Sequence, residues 1–358
     1  MRFPLLRASF TSLAALALPP VSAAQAASDI SLAPTANVQY EATQVSVGDQ
    51  DETEDGFRRA RLGFKLKGKA WQLVAEHDFA DKTPSDAYLE LTPAEGHSLR
   101  VGQFKQPFML EDAVSDKHSA ILEASLISPF AISRRIGAEY ARQFKLGTLY
   151  ASVFGQRLDG TNESIGVAAR ATRLLRSSEH EEMHVGISVA SEQPDNERAS
   201  FRASPGTTFT DLRAASSGTL TAVDHIHRAA VEGVWLRDAL TVQAELAGVS
   251  VVRDGADFHG NGGSVQVAWS PTGHMRSYKR GVIGAPVGDG IGWELAARLS
   301  TIDLDDGSVR GGQADSYGLG VVCTFNPYAR VLFNVVRTDL RHRSDDPTVA
   351  GVRLQLTY

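Results

Sequence analysis

The chain has 358 residues, a formal net charge of −6 and a single cysteine, Cys323. One thiol allows no internal disulfide, so no disulfide scaffold holds the chain, and the acidic balance offers no basic footprint for nucleic acid. Beyond the N-terminal stretch no run is long and apolar enough for a membrane helix. A water-soluble exported protein and a strand-built membrane barrel both fit that fact, because a barrel carries its hydrophobicity in every second residue.

The first 26 residues read as a secretory signal peptide. Arg2 and Arg7 make a basic start, Leu13 to Leu18 lies in a short apolar core, and Ala24-Gln25-Ala26 is a small-x-small cleavage site. Residues 27–56 form an N-terminal segment with a first strand at Asn37 to Val47. The acidic run from Asp49 to Asp55 reads as a solvated loop. Residues 57–358 are expected to form the barrel domain. Its clearest strand is Arg59 to Lys67. There Ala60, Leu62, Phe64 and Leu66 share one face, and Arg59, Arg61, Lys65 and Lys67 share the other.

That dyad recurs along the chain. Trp71, Leu73 and Ala75 alternate with Gln72 and Glu76. Ile136, Ala138 and Tyr140 alternate with Arg135, Gly137 and Glu139. Leu240 to Leu246, Val265 to Trp269, Trp293 to Ser300 and Val352 to Tyr358 behave alike. Segments of roughly ten residues, apolar one way and polar the other, are the mark of a transmembrane antiparallel β-barrel, here with about sixteen strands. Trp71, Tyr140, Trp235, Trp269 and Trp293 fall near expected strand ends, as an interfacial girdle requires. The chain stops flush with its last strand on Tyr358, the kind of terminal aromatic that exported barrels present to their assembly machinery.

With the N-terminus in the periplasm, connections after odd strands face outward and are expected to be long: roughly 48–56, 80–86, 105–133, 155–163, 192–222, 253–261, 303–314 and 340–348. Those after even strands are expected to be short, and 271–289 breaks that rule. It is either a miscounted strand or a second segment inside the pore. The stretch 105–133 is also too long for a simple turn, and such loops are more often functional than idle. It carries Phe108, Met109, Leu110, Ile121, Leu122, Leu126, Ile127 and Phe130. Exposed to water these would forgo burial. The expectation is an inward-folded third extracellular loop that narrows the pore.

No constellation points to catalysis or to a cofactor. Gly63 to Ala70 almost spells a phosphate-binding loop but lacks the Ser or Thr after the lysine. His225-Ile226-His227 has no third metal ligand nearby. Asp303 to Gly307 is one position short of a calcium loop and reads as a turn. A barrel-type outer-membrane enzyme and an exported binding module of unknown ligand remain as alternatives.

Several runs resemble a known family in order: Arg58-Arg59-Ala60-Arg61-Leu62-Gly63, Asp86-Ala87-Tyr88-Leu89-Glu90, Leu99 to Phe108, Arg134-Arg135-Ile136-Gly137, Trp269 to Gly273, Trp293 to Ser300 and Gly351 to Gln355. Together they are similar to the phosphate-selective porin O and P family. That resemblance implies a sixteen-stranded outer-membrane barrel, usually a homotrimer, that conducts inorganic anions such as phosphate across the lipid bilayer. It also implies a ladder of arginines leading in and a periplasmic turn folded inward, which would account for 271–289. Arg58, Arg59 and Arg61 match the family's basic motif, and Lys105 matches the entry to the folded loop. Lys65, Arg100, Lys117, Arg134, Arg135 and Lys279 complete the expected anion pathway. The 192–222 loop holds only Arg198, Arg202 and Arg213 where the family has much of its ladder, so the expected preference is for anions generally. The lumen acids Glu76, Asp78, Glu90 and Glu139 are expected to moderate it.

Overall fold

The structure is a computed structural model and describes residues 30–341, 343 and 345–358. The expected signal peptide, 1–26, lies outside the described residues. Sixteen strands close into one antiparallel barrel: β1 Ser31–Val47, β2 Gln50–Lys67, β3 Trp71–Asp78, β4 Thr83–Ala94, β5 His97–Lys105, β6 Arg134–Phe144, β7 Gly147–Phe154, β8 Ser164–Ser177, β9 Glu181–Pro194, β10 Val223–Arg237, β11 Leu240–Arg253, β12 Phe258–Trp269, β13 Gly292–Asp306, β14 Val309–Asn326, β15 Ala329–Leu340 and β16 Pro347–Thr357. Each pairs with its sequence neighbour, and β1 pairs with β16 to close the ring. Ser31–Val47 is therefore a stave of the same barrel.

The expected dyads set the outer wall. On β13, Trp293, Leu295, Ala297 and Leu299 face out, while Glu294, Arg298 and Ser300 are buried inside. At 3.3–3.4 Å per residue the outward apolar run covers about 20 Å of strand, the right scale for the apolar band of a membrane barrel. Trp71, Trp235, Trp269, Trp293 and Tyr140 all sit toward the end that carries the connections after even strands, called the turn end below. Tyr328 and Tyr358 stack there with ring centroids 5.8 Å apart.

Two expectations about the connections need correction. The acidic run is strand, not loop: β2 begins at Gln50, and only Gly48 and Asp49 turn. In the same way β13 and β14 run on to a turn at 307–308, where a loop over 303–314 was expected. The reason lies in the side-chain phase. Past Leu299 the outward residues become Thr301, Asp303 and Asp305, while Ile302 and Leu304 turn inward and are buried. β11 does the same: Ala247, Val249 and Val251 are buried inside, beyond the outward Leu246. Such segments look irregular to a pattern that expects apolar-out throughout. They are strands whose polarity inverts where water replaces apolar surroundings outside.

What these inverted faces bury is loop. The connection 106–133 leaves β5 at the opposite, loop end and folds into the lumen. Phe108, Met109, Ile127 and Phe130 are wholly buried against Phe258, Val251, Ile302 and neighbouring wall residues. The connection 195–222 lies over it. Its Phe201 ring stands 6.0 Å from Phe130 and 6.1 Å from Phe258, and its Pro205 carbonyl accepts a hydrogen bond from Thr338 of β15. Small wall residues let the first loop come close. A Cβ on Gly320 would stand 2.7 Å from the Ala120 carbonyl oxygen, and one on Gly351 would stand 2.7 Å from Leu122. From the turn end the connection 270–291 also enters the lumen, as a hairpin pairing Met275–Lys279 with Val282–Val287. Its Ile283 packs with Leu110, Val234 and Leu236.

Candidate functional site

The site is the corridor between loop 106–133 and the wall made by β1, β2 and β16. A β-bulge builds its first part. β1 pairs Gln39 with Arg59 and Tyr40 with Phe57, which leaves Arg58 as the extra residue. Strict alternation would send Arg58 and Arg59 to opposite faces. The bulge breaks the alternation, and both guanidinium groups reach carboxylates of the inward loop.

Arg58 donates from Nε and Nη2 to the two oxygens of Glu123 at 2.7 and 3.1 Å. Arg59 contacts Asp116. Arg61 donates to Asp78 at 2.9 Å and to Asp116 at 2.8 Å. Arg134 grips Asp86 with both arms, at 2.9 and 3.1 Å. The Lys105 ammonium donates to the carbonyls of Asp112 and Val114 at 2.6 and 3.2 Å, closing the short helical turn Leu110–Ala113. Arg58, Arg59, Lys105 and Arg134 line one cavity of about 260 Å³, together with Arg276 of the hairpin and Arg298 of β13.

The other expected residues lie elsewhere. Arg100 sits nearer the turn end, 3.1 Å from Glu90 and 3.5 Å from Glu139, with its guanidinium 4.7 Å above the Tyr88 ring. Arg135 donates to the Ile132 carbonyl and faces Glu192 at 3.7 Å. It lines a second cavity of about 470 Å³ with Arg157, Arg198 and Arg228. Lys65 follows Arg61 along the inner phase of β2. Lys279 is exposed near the hairpin tip. The Lys117 carbonyl is held by Arg330 and Gln355. The ion pairs among the described residues involve none of these three ammonium groups.

The residues that hold the loop lie outside the expected anion pathway. Arg276 donates to the His118 carbonyl at 2.7 Å, Arg298 to Glu123 at 2.7 Å, Arg353 to Leu122 at 2.7 Å, and Arg330 to Ser119 at 2.9 Å. Glu245 of β11 accepts from the backbone N–H groups of Leu110 and Glu111 at 2.6 and 3.0 Å. Arg298, Arg353 and Glu245 lie on the polar phase of dyads legible in the sequence. Their partners are carbonyl and amide groups that no side-chain pattern reveals. The hairpin tip is held in the same manner. Arg170 donates to the Gly281 carbonyl at 2.6 Å, Tyr150 to Arg280 at 2.9 Å, and the Tyr278 hydroxyl lies 2.8 Å from His184 Nδ1. The inward course expected for 271–289 is thus what these contacts give, and no strand was miscounted.

Burial and charge set the protonation of the loop groups. Burial by itself would raise the carboxyl of Glu123, but Arg58 and then Arg353 outweigh it and hold it down at about 2. Asp116 is likewise kept far below the carboxylate range by Arg59 and Arg61, against burial. Burial, reinforced by Arg330 and Arg276, pushes His118 down to about 4. Both carboxylates are ionised and His118 is neutral at pH 7.

The near-miss motifs lie on strands and strand ends. Gly63 to Lys67 is strand. His225 and His227 stack 5.9 Å apart near the loop end of β10. Asp303 to Gly307 ends a strand at a hairpin turn. A soluble exported binding module is set aside by the closed barrel with its apolar outer band.

The fold is shared with solved outer-membrane proteins. The anion-selective porin from Comamonas acidovorans superposes with a TM-score of 0.59 at 12% identity, covering 92% of this chain and all of that one. Outer-membrane expressed OmpT of Vibrio cholerae gives 0.60 at 9% identity, covering 93% and 99%. The outer membrane channel DcaP of Acinetobacter baumannii gives 0.57 at 12% identity, covering 92% and 97%. A comparison with curated proteins found no significant match. The sequence profile of a family described as phosphate-selective porin O and P matches residues 33–358. With sixteen closed strands, an apolar outer band and a polar corridor within, the chain belongs to the phosphate-selective porin O and P family, and it is a passive channel of the bacterial outer membrane.

Proposed function

We propose that the channel passes small oxyanions, phosphate among them, with a modest preference over cations, and that the loop end faces outward. The observation that carries this reading is the composition of the corridor cavity. Six cationic side chains line it, Arg58, Arg59, Lys105, Arg134, Arg276 and Arg298, against four carboxylates, Glu111, Asp112, Asp116 and Glu123. The balance is +2. Guanidinium stays charged at any relevant pH and matches oxyanions with a two-armed fork. A narrow passage between low-dielectric walls focuses that charge. The carboxylates keep each contact weak enough for release, which conduction requires.

The pathway runs from the Arg135, Arg157, Arg198 and Arg228 cavity, past the Arg58, Arg59 and Arg61 row, toward Arg100, Lys65, Lys117 and Lys279. Loop 106–133 and the hairpin 275–287 narrow it from opposite ends. Assembly as a homotrimer fits the family and the trimer form of a structural neighbour from Vibrio cholerae. The test is the reversal potential of the purified protein in a planar bilayer under a KCl gradient. A potential on the anion side is expected; one on the cation side would overturn the proposal.

A further inference from the structure

Two acids of loop 106–133 stand where a permeating anion would bind. Glu123 fills the fork of Arg58 and takes a third contact, 2.8 Å, from Arg353. Asp116 sits between Arg59 and Arg61, with the Asn37 side-chain amide 3.3 Å from its other oxygen. Both residues line the corridor cavity. We propose that Asp116 and Glu123 are tethered counter-anions: they occupy the oxyanion positions of the arginine row, and a permeating oxyanion passes by exchanging with them.

A second feature makes the exchange feasible. The backbone around these acids is held without their side chains. Arg276 of the hairpin grips the carbonyl of His118, and the wall arginines Arg330, Arg353 and Arg298 grip those of Ser119, Leu122 and Glu123. The carboxylates can swing out and return while the main chain stays docked. The contacts also define what can replace them. A guanidinium fork offers two parallel N–H groups to two oxygens of one ligand. Phosphate, sulfate and carboxylates meet that geometry, and a spherical chloride cannot. Exchange therefore discriminates among anions, beyond the general preference of a positive corridor. The inference rests on the anion-channel reading above.

The test compares the parent with Asp116→Asn, Glu123→Gln and the double variant in planar bilayers. Each replacement keeps the side-chain shape and removes the charge. Inorganic phosphate is titrated against the chloride current, and the reversal potential is read in a KCl gradient. With the internal competitor gone, half-block by phosphate is expected at about tenfold lower concentration for each charge removed. The reversal potential moves further to the anion side. Unchanged phosphate block in variants that keep a heat-modifiable barrel band would overturn the inference, since a purely structural role leaves block untouched. If Glu123→Gln fails to assemble, Glu123→Asp retains the charge with a shorter reach. It should lower the half-block concentration by a smaller factor, and no change there would count equally against the inference. An anion-selective parent with unresponsive variants rejects only this step, whereas a cation-selective parent rejects the channel reading with it.

Discussion

The two sides of the lumen solve opposite problems. Along β1, β2 and β16 the inner face beside the loop carboxylates is polar: Asn37, Gln39, Glu41, Arg59, Arg61, Arg353 and Gln355, paired with one another or with those carboxylates, and it turns apolar only at Val45 and Val349. Along the loop-end halves of β10 to β14 it is apolar: Ile226, Val249, Val251, Phe258, Ile302, Leu304 and Ala314, packed on two loops. The first wall bounds a passage. The second is the floor of a small hydrophobic core inside the barrel. A porin lumen need not be uniformly wet, and the difference follows the loops. Where a loop presents apolar groups the wall answers in kind, because burial without a hydrogen-bonding partner favours only apolar surface.

The contrast can be broken from the apolar side first. Deleting residues 112–126 removes the middle of the inward loop, and single-channel conductance should rise several-fold with loss of phosphate block. A variant that assembles yet conducts like the parent would move the constriction to the hairpin 275–287. Phe130→Ala empties a site with no exposure and should cost about 3–5 kcal/mol in a denaturant titration of the folded barrel. Its current noise should grow as the loop loosens.

The outer wall supplies a control. Leu299→Arg places a charge on the apolar band, which should cost roughly 2–4 kcal/mol near the bilayer midplane, with the reversal potential unaltered in whatever fraction assembles. Gly320→Val puts a side chain where the Ala120 carbonyl already lies. Overpacking of that kind costs about 1–3 kcal/mol, and thermal melts read it directly.

The charged wall is probed more gently. Replacing Arg59 with Glu should shift the reversal potential toward cations without a comparable loss of barrel stability. The smallest expected effect is with pH. Glu123 in the folded loop is depressed from 4.5 to about 2. Its contribution to loop docking is therefore complete above the unfolded value and is lost only as pH falls through the range from 4.5 to about 2. Current noise at pH 5 should match that at pH 7. Loosening of the loop already at pH 6 would mean that a group other than Glu123 controls its docking there.

Much of this was legible in the residues because side chains alternate along a strand with period two, whatever the tertiary context. The sixteen strands, their outward faces from Leu62 to Leu356 and the unusual length of 105–133 and 271–289 follow from that period and from its failures, whereas the acidic run after Val47 and the stretch 303–314 were mistaken for loops. The cationic character of the corridor was legible too, since Arg58, Arg59 and Arg61 are local. Three things were decided only in three dimensions. The bulge opposite Gln39 and Tyr40 brings Arg58 to the same side as Arg59, and a bulge leaves no compositional trace. The polarity inversion past Leu299 and Leu246 depends on where apolar surroundings end and loops begin. The partners of the arginines, Asp116 and Glu123 and the carbonyls of 117–124, lie 55 to 231 positions away along the chain. Neither sequence spacing nor side-chain pattern carries that information, because ion pairs and backbone contacts form wherever closure of the barrel happens to bring charge and carbonyl within 3 Å.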